Sequence, residues 1–131
     1  MTGIDMNVLV RYLAQDDPLQ SSRATRLFEQ RLTDEEPGFI SLVTLVETVW
    51  VLDRAYRLSM AEIAAAIERL LQADTLIVQN EQQVFTAMIA LKSGKASFAD
   101  ALIGAVSAWA GCRYTLTFDR KAARLEEFRL A

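Results

Sequence analysis

Four acids, Asp5, Glu47, Asp100 and Asp119, have the residue types and settings to do chemistry in this sequence. Carboxylates drawn into one crevice repel one another, and they stay ionised together only with a cation among them. Their hard oxygens suit Mg²⁺ or Mn²⁺. An ion of that kind activates a water and stabilises charge on a phosphate and on its leaving oxygen. Asp5, Glu47 and Asp100 then read as the main ligands, with Asp119 holding a second ion or orienting the attacking water. The chain has no histidine. That excludes Ser-His-Asp triads, Cys-His pairs and histidine acid–base catalysis, and it excludes zinc sites of the Cys and His type.

Each acid also has a plain structural reading. Asp5 and Asp119 precede helical segments and suit N-caps. Ser97-Phe98-Ala99-Asp100 matches a capping box with Asp in place of the usual Glu. Glu47 is different, because its neighbours three and four residues away are Val43, Thr44, Trp50 and Val51. A carboxylate buried in so apolar a helix is expensive unless it is paired or metal-bound. Its plain reading is an ion pair with Arg54 or Arg11. Arg11, Arg120 and Lys121 stand about one turn after acids, which makes them candidates for phosphate contacts; ordinary solvated charge is the plain reading. Trp50, Trp109, Phe85, Phe98 and Phe118 occupy core-like positions and read as packing.

The elements that must position these residues follow from local signals. Met1 to Asp5 is short and ends at an acid, and Asn7 to Leu13 is helical. Asp17 before Pro18 starts a helix that runs to about Leu32, with Ala24, Leu27, Phe28 and Leu32 inward. Phe39-Ile40 is a short strand and Ser41 the next cap. From Leu42 to Tyr56 apolar residues surround the helix, which predicts burial on most sides. Ser59 and Glu62 form a capping box before a helix with Ile63, Ala66, Ile67, Leu70 and Leu71 inward. Thr75 to Val78 is a strand. Glu81 to Lys92 is helical, with Gly94 closing it. Ser97 to Ala110 is a helix of small residues, and Tyr114 to Thr117 a strand leading to Asp119. A short helix and one last strand end the chain. Strands separated by helices imply a parallel sheet covered on both faces, with its functional crevice beyond the strands' carboxyl ends. Asp5 and Asp119 fall there.

A length of 131 residues fits one domain, residues 1–131, with a substantial core. The 52% hydrophobic content is slightly high and points to apolar surface covered by a partner. The net charge of −3 is unusual for a nucleic-acid binder, although an acidic metal site contributes to it. Charged or polar residues interrupt every apolar run, so no membrane span is expected. The start of the chain has no basic region followed by an apolar signal core, and export is not expected. The single cysteine, Cys112, reads as a buried inert thiol in a cytoplasmic protein.

Four segments together resemble a known family. Gly3-Ile4-Asp5-Met6-Asn7-Val8-Leu9-Val10-Arg11-Tyr12-Leu13 looks like the opening of a PIN domain, in particular of VapC-type toxins. Ile40-Ser41 through Glu47-Thr48-Val49-Trp50-Val51-Leu52 resembles the second PIN motif, Ser97 to Ile103 the third, and Thr115-Leu116-Thr117-Phe118-Asp119 the fourth. Each is weak alone; four in order at family spacing are specific. The resemblance implies a three-layer α/β/α fold with a central parallel sheet of four or five strands. It implies an endoribonuclease that uses Mg²⁺ or Mn²⁺. It also implies a homodimer, neutralised by a cognate antitoxin whose C-terminal tail covers the site. Asn7 matches the family and supplies a polar contact behind the ligands; Thr117 matches its hydroxyl residue two places before the last acid. One position departs, since Met6 stands where the family commonly has a small hydroxyl residue.

Two other readings compete. Met6 fits a non-catalytic PIN-like binding module that has lost turnover. An aspartyl phosphatase or phospho-acceptor domain would need a second acid close to the strand acid, which Asp5-Met6-Asn7 lacks, or a lysine past a late strand.

Overall fold

A computed structural model describes residues 1–131. The chain separates into two compact units, Met1–Gln79 and Asn80–Ala131.

In the first unit, strand β1 (Thr2–Gly3) leads through Asp5 into helix α1 (Met6–Ala14). Helix α2 (Pro18–Arg26) starts where Asp17 accepts from the amides of Leu19 and Gln20, with Pro18 in the first turn. The sequence predicts one α-helix to Leu32, but from Leu27 to Arg31 the helix widens into a π-turn. Its mark is the Leu32 amide donating to the Leu27 carbonyl five residues back, at 3.0 Å. Buried Phe28 and Leu32 anchor the widened turn, and Phe28 stacks on Tyr12 of α1 at 4.2 Å. Strand β2 (Gly38–Ile40) precedes α3 (Leu42–Arg54), which Ser41 caps. Helix α4 (Met60–Gln72) opens on a complete Ser59–Glu62 capping box, and β3 (Leu76–Val78) follows.

These three strands form one parallel sheet in the order β1-β2-β3. Thr2 pairs with Gly38, and Gly38 with Leu76. Gly38 is needed there for closeness. A Cβ would meet side-chain atoms of Leu32, Leu76 and Ile4 at 2.9 to 3.1 Å. The core gathers Leu9, Ile40, Leu45, Leu52 and Ile67, all almost fully buried.

Helix α3 departs from its expected burial. Leu45, Thr48 and Leu52 face inward, yet Val43 is 78% and Trp50 59% exposed. Thr48 satisfies its buried hydroxyl by donating to the Thr44 carbonyl at 2.8 Å. One stripe is enough to pack α3 in this unit, so its remaining apolar residues stay at the surface.

In the second unit, α5 (Glu81–Lys92) packs on α6 (Phe98–Trp109). Both helices end in the same double-bonded turn. Gly94 (φ 73°) and Gly111 (φ 103°) take the left-handed region. The amides of Gly94 and Lys95 reach the carbonyls of Leu91 and Ala90, and those of Gly111 and Cys112 reach Ala108 and Ser107. Gly111 thus turns Cys112 outward, and the thiol expected to be buried is exposed. Strand β4 (Thr115–Thr117) pairs in parallel with β5 (Phe128–Leu130), around a 3₁₀ turn at Ala122–Arg124. Gly104 lets α6 approach the ring of Phe128; a Cβ would stand 2.7 Å from it.

The α/β class and the wholly parallel pairing match the sequence. Five strands are present, three in one sheet and two in another, where one central sheet was expected. Of the five aromatics read as core, Phe98 is buried. Trp50, Trp109, Phe85 and Phe118 are exposed, Phe118 at 90%. Their neighbours explain it on α5, where Val84, Ala87, Met88 and Leu91 form the packed stripe and Phe85 is turned off it. No helix is long and apolar enough to cross a membrane.

Candidate functional site

Strands β1 and β2 hand the chain to the capping residues Asp5 and Ser41 beyond their carboxyl ends. Asp5 follows β1, with one intervening residue, and is the N-cap of α1. Its Oδ1 accepts only from the adjacent Met6 amide, at 2.8 Å. A usual Asp cap reaches the second or third helical amide, as Asp17 does in α2. Asp5 therefore caps weakly and leaves its other oxygen free.

Glu47 sits in the second turn of α3, beyond the carboxyl end of β2. The burial expected of it is not found: Glu47 is exposed, beside Leu42, Val43, Val46 and Trp50. The expected ion pairs are absent too. Arg54 lies 3.9 Å from Asp53 and over the Trp50 ring, and Arg11 is held by Asp16. Glu47 has no hydrogen-bonded or ionic partner. Being exposed, it does not meet the cost of burial that its apolar neighbours implied.

Asp100 is half-buried in the first turn of α6. Its amide donates to the Ser97 hydroxyl at 3.2 Å, but its carboxylate does not return the bond to Ser97. Only half of the expected capping box forms. The Asp side chain is one methylene shorter than the Glu62 side chain that closes the box at Ser59. The Asp100 carboxylate is thus uncommitted.

Asp119 follows β4, with one intervening residue, and is clamped from both directions. Its amide donates to the Thr117 hydroxyl at 3.0 Å. Its Oδ1 accepts from the Lys121 amide at 2.8 Å and the Ala122 amide at 3.4 Å. The second oxygen has no protein partner. Asn7, in the first turn of α1, is exposed, as are Arg120 and Lys121.

The four acids divide two by two: Asp5 and Glu47 belong to the first unit, Asp100 and Asp119 to the second. Within neither unit does a group of three or more acids or cysteines stand close enough to hold a metal ion. The donor chemistry nevertheless fits a hard divalent cation, since each of the four keeps at least one carboxylate oxygen free of protein bonds.

Sequence reasoning missed the role of Arg11. Its Nη1 donates to both oxygens of Asp16, at 2.8 and 3.0 Å, and to the Tyr56 hydroxyl at 3.2 Å; its Nε donates to Gln20 at 2.8 Å. The Tyr56 hydroxyl donates to Asp16 at 2.6 Å. Arg11 thus joins α1 to the start of α2 and to Tyr56, two residues after the end of α3. The acid five positions on was the available signal. The Tyr56 hydrogen bond, and then that from Arg11, hold the Asp16 carboxyl below its ordinary range. The bond to Asp16 raises the Tyr56 phenol above its ordinary value.

The family model described as PIN domain matches residues 4–127 of the chain. No curated protein matches it.

The Arg11 cluster sets a pH dependence. Asp16, with its lowered folded-state value, contributes stability above the ordinary aspartate value of 3.8, and that stability is lost as pH falls through the lowered value. Tyr56, with a raised value, contributes below its ordinary 10.0, and that contribution is lost as pH rises through the raised one. Asp16→Asn should lower the melting temperature at neutral pH and flatten the acid limb of its pH profile. Thermal denaturation across pH checks this, and an acid limb identical to that of the unaltered chain would refute it.

Proposed function

The chain belongs to the PIN domain family, whose members are generally nucleases acting on nucleic acid, and on that premise we propose that it is a metal-dependent endoribonuclease, the VapC-type toxin of a toxin–antitoxin pair. The observation that carries this reading is the set of four acids at the family's motif positions. Each keeps a carboxylate oxygen that no protein group claims.

In this reading Asp5, Glu47, Asp100 and Asp119 are the residues that would offer those oxygens to Mg²⁺ or Mn²⁺. When bound, the ion supplies neutralising charge at the phosphate and makes a water more acidic. The chain's own contribution is positioning. Thr117 and the amides of Lys121 and Ala122 fix Asp119 in one orientation. Asn7, exposed in the first turn of α1, would offer a polar contact near Asp5 and makes no side-chain hydrogen bond of its own. Arg120 and Lys121, exposed and in no ion pair, receive RNA phosphates. Arg11 serves this reading as a strut rather than as a free phosphate ligand, because Asp16 already neutralises it.

The chain acts in the cytoplasm as one domain over residues 1–131. The family match supports the single domain, because it runs through both units. The protein partners are a second copy of the chain and a cognate antitoxin whose C-terminal tail covers the site. Their support is the apolar surface left uncovered on α3 by Leu42, Val43, Val46 and Trp50.

Two measurements test the proposal. RNA ends are sequenced after brief expression of the chain and of Asp5→Asn. Cuts should appear only with the unaltered chain, and the variant should lose roughly a hundredfold in rate, the scale of a lost metal contact. Cutting that survives thorough chelation would sink the metal-dependent reading. Sedimentation should give twice the 14.7 kDa chain mass, falling to the single mass in Val46→Asp. A monomer at every concentration would remove the dimer.

A further inference from the structure

Between α1 and α2 lies a cleft of about 430 Å³ whose charged lining is entirely basic. Asn7 and Arg11 line it from α1, one helical turn apart. Gln20, Arg23 and Arg31 line it from α2 and the π-turn. Arg11 is tied to Asp16 and Gln20, which braces one wall. The buried Ser21 hydroxyl, donating to the Arg11 carbonyl at 2.9 Å, braces it further. Arg23 and Arg31 are different. Both are exposed, and neither takes part in any side-chain hydrogen bond or ion pair.

The π-turn aligns them. In an unbroken α-helix, residues eight apart stand about 80° round from one another. The wider turn from Leu27 to Arg31 rotates less per residue and carries Arg31 back toward the row of Arg23 and Leu27. Widened turns of this kind are often found at functional positions. The result is two uncommitted guanidiniums on one wall of a groove that no carboxylate enters. Asn7, two residues after Asp5, stands at the groove's other wall.

We propose that this α1–α2 groove is a binding track for the phosphate backbone of single-stranded RNA, with Arg23 and Arg31 as its phosphate ligands. The proposal rests on the ribonuclease reading above and extends it to residues outside the acid set. Guanidiniums take phosphate oxygens two at a time, and the groove offers no acid to compete for them. Gln20 and Asn7 add neutral polar groups suited to sugar or phosphate oxygens. Arg26 lies on the same helix, carries the same charge and does not line the groove, so it serves as an internal control.

The test titrates the full chain against a short fluorescent single-stranded RNA of mixed sequence, in chelator so that nothing is cut, over a range of salt. Arg23→Gln/Arg31→Gln should weaken binding about tenfold and reduce the salt slope by roughly 1.4, as expected for two lost single-strand contacts. Arg26→Gln should change neither by a comparable amount. With Mg²⁺ restored, the double variant should show a raised KM and an unchanged kcat. Equal affinity and slope in the double variant, while the unaltered chain still cuts RNA, would overturn the groove and leave the ribonuclease reading intact. An equal loss in Arg26→Gln would also overturn it, as a general effect of charge. A loss of self-association without a loss of RNA affinity would give the groove to a second copy instead. If the unaltered chain neither binds nor cuts RNA, the ribonuclease reading fails and the groove assignment fails with it.

Discussion

Parallel strand pairing is the constraint on which the rest of this structure depends. A strand paired in parallel cannot turn back directly, so the chain must leave its carboxyl end and return by another route. β1, β2 and β3 each give way within three residues to the start of a helix, and β4 is followed five residues on by a short 3₁₀ turn. Those junctions are where Asp5, Ser41, Asn80 and Asp119 lie. Asp5, Ser41 and Asp119 cap backbone amides there, whereas Asn80 makes no side-chain cap bond; each lies beyond a strand's carboxyl end, where parallel sheets place functional groups. Asp5 and Asp119 stay open to such a role because neither spends both carboxylate oxygens on capping.

Several other acids act as braces and caps. Asp16, Asp17 and Glu62 are spent on structure. Asp16 is held between Tyr56 and Arg11, Asp17 opens α2, and Glu62 completes a box with Ser59. Asp5, Glu47, Asp100 and Asp119 keep an oxygen with no protein partner, as Asp17 and Glu62 also do, so what sets the four apart is their place in the family pattern. Among the basic residues, Arg11 is a brace, whereas Arg23 and Arg31 remain uncommitted. A fold made largely of caps and short strands leaves its unspent charges as the groups available for chemistry and recognition.

Much of this was legible in the sequence, and the failures have a common cause. Caps are local, so Asp17-Pro18, Ser59-to-Glu62 and Gly94 were readable from a few adjacent residues. The strands at Phe39-Ile40, Thr75 to Val78 and Tyr114 to Thr117 were found within a residue or two. What was misread depends on which face of an element finds a partner. Apolar residues all round α3 suggested burial, yet a single stripe packs and Trp50 and Glu47 are exposed. Phe85, Trp109 and Phe118 were misjudged for the same reason. The π-turn left no local signal, since Leu27 to Arg31 carries no Pro or Gly to announce a change of pitch. A lone cysteine is usually buried, but the left-handed turn at Gly111 points Cys112 outward. For the candidate site, the positions of the four acids along the elements were read correctly. The reason given for Glu47 was not, and its case now rests on its free carboxylate and its place in the family pattern.

Direct metal binding bears most closely on the central claim. Mn²⁺ titration followed by electron paramagnetic resonance would be run on the full chain and on Asp5→Asn, Glu47→Gln, Asp100→Asn and Asp119→Asn. The unaltered chain should bind Mn²⁺, and each substitution should weaken binding by about tenfold or more. Failure of the unaltered chain to bind Mn²⁺, or an affinity that none of the four substitutions alters, would contradict that claim.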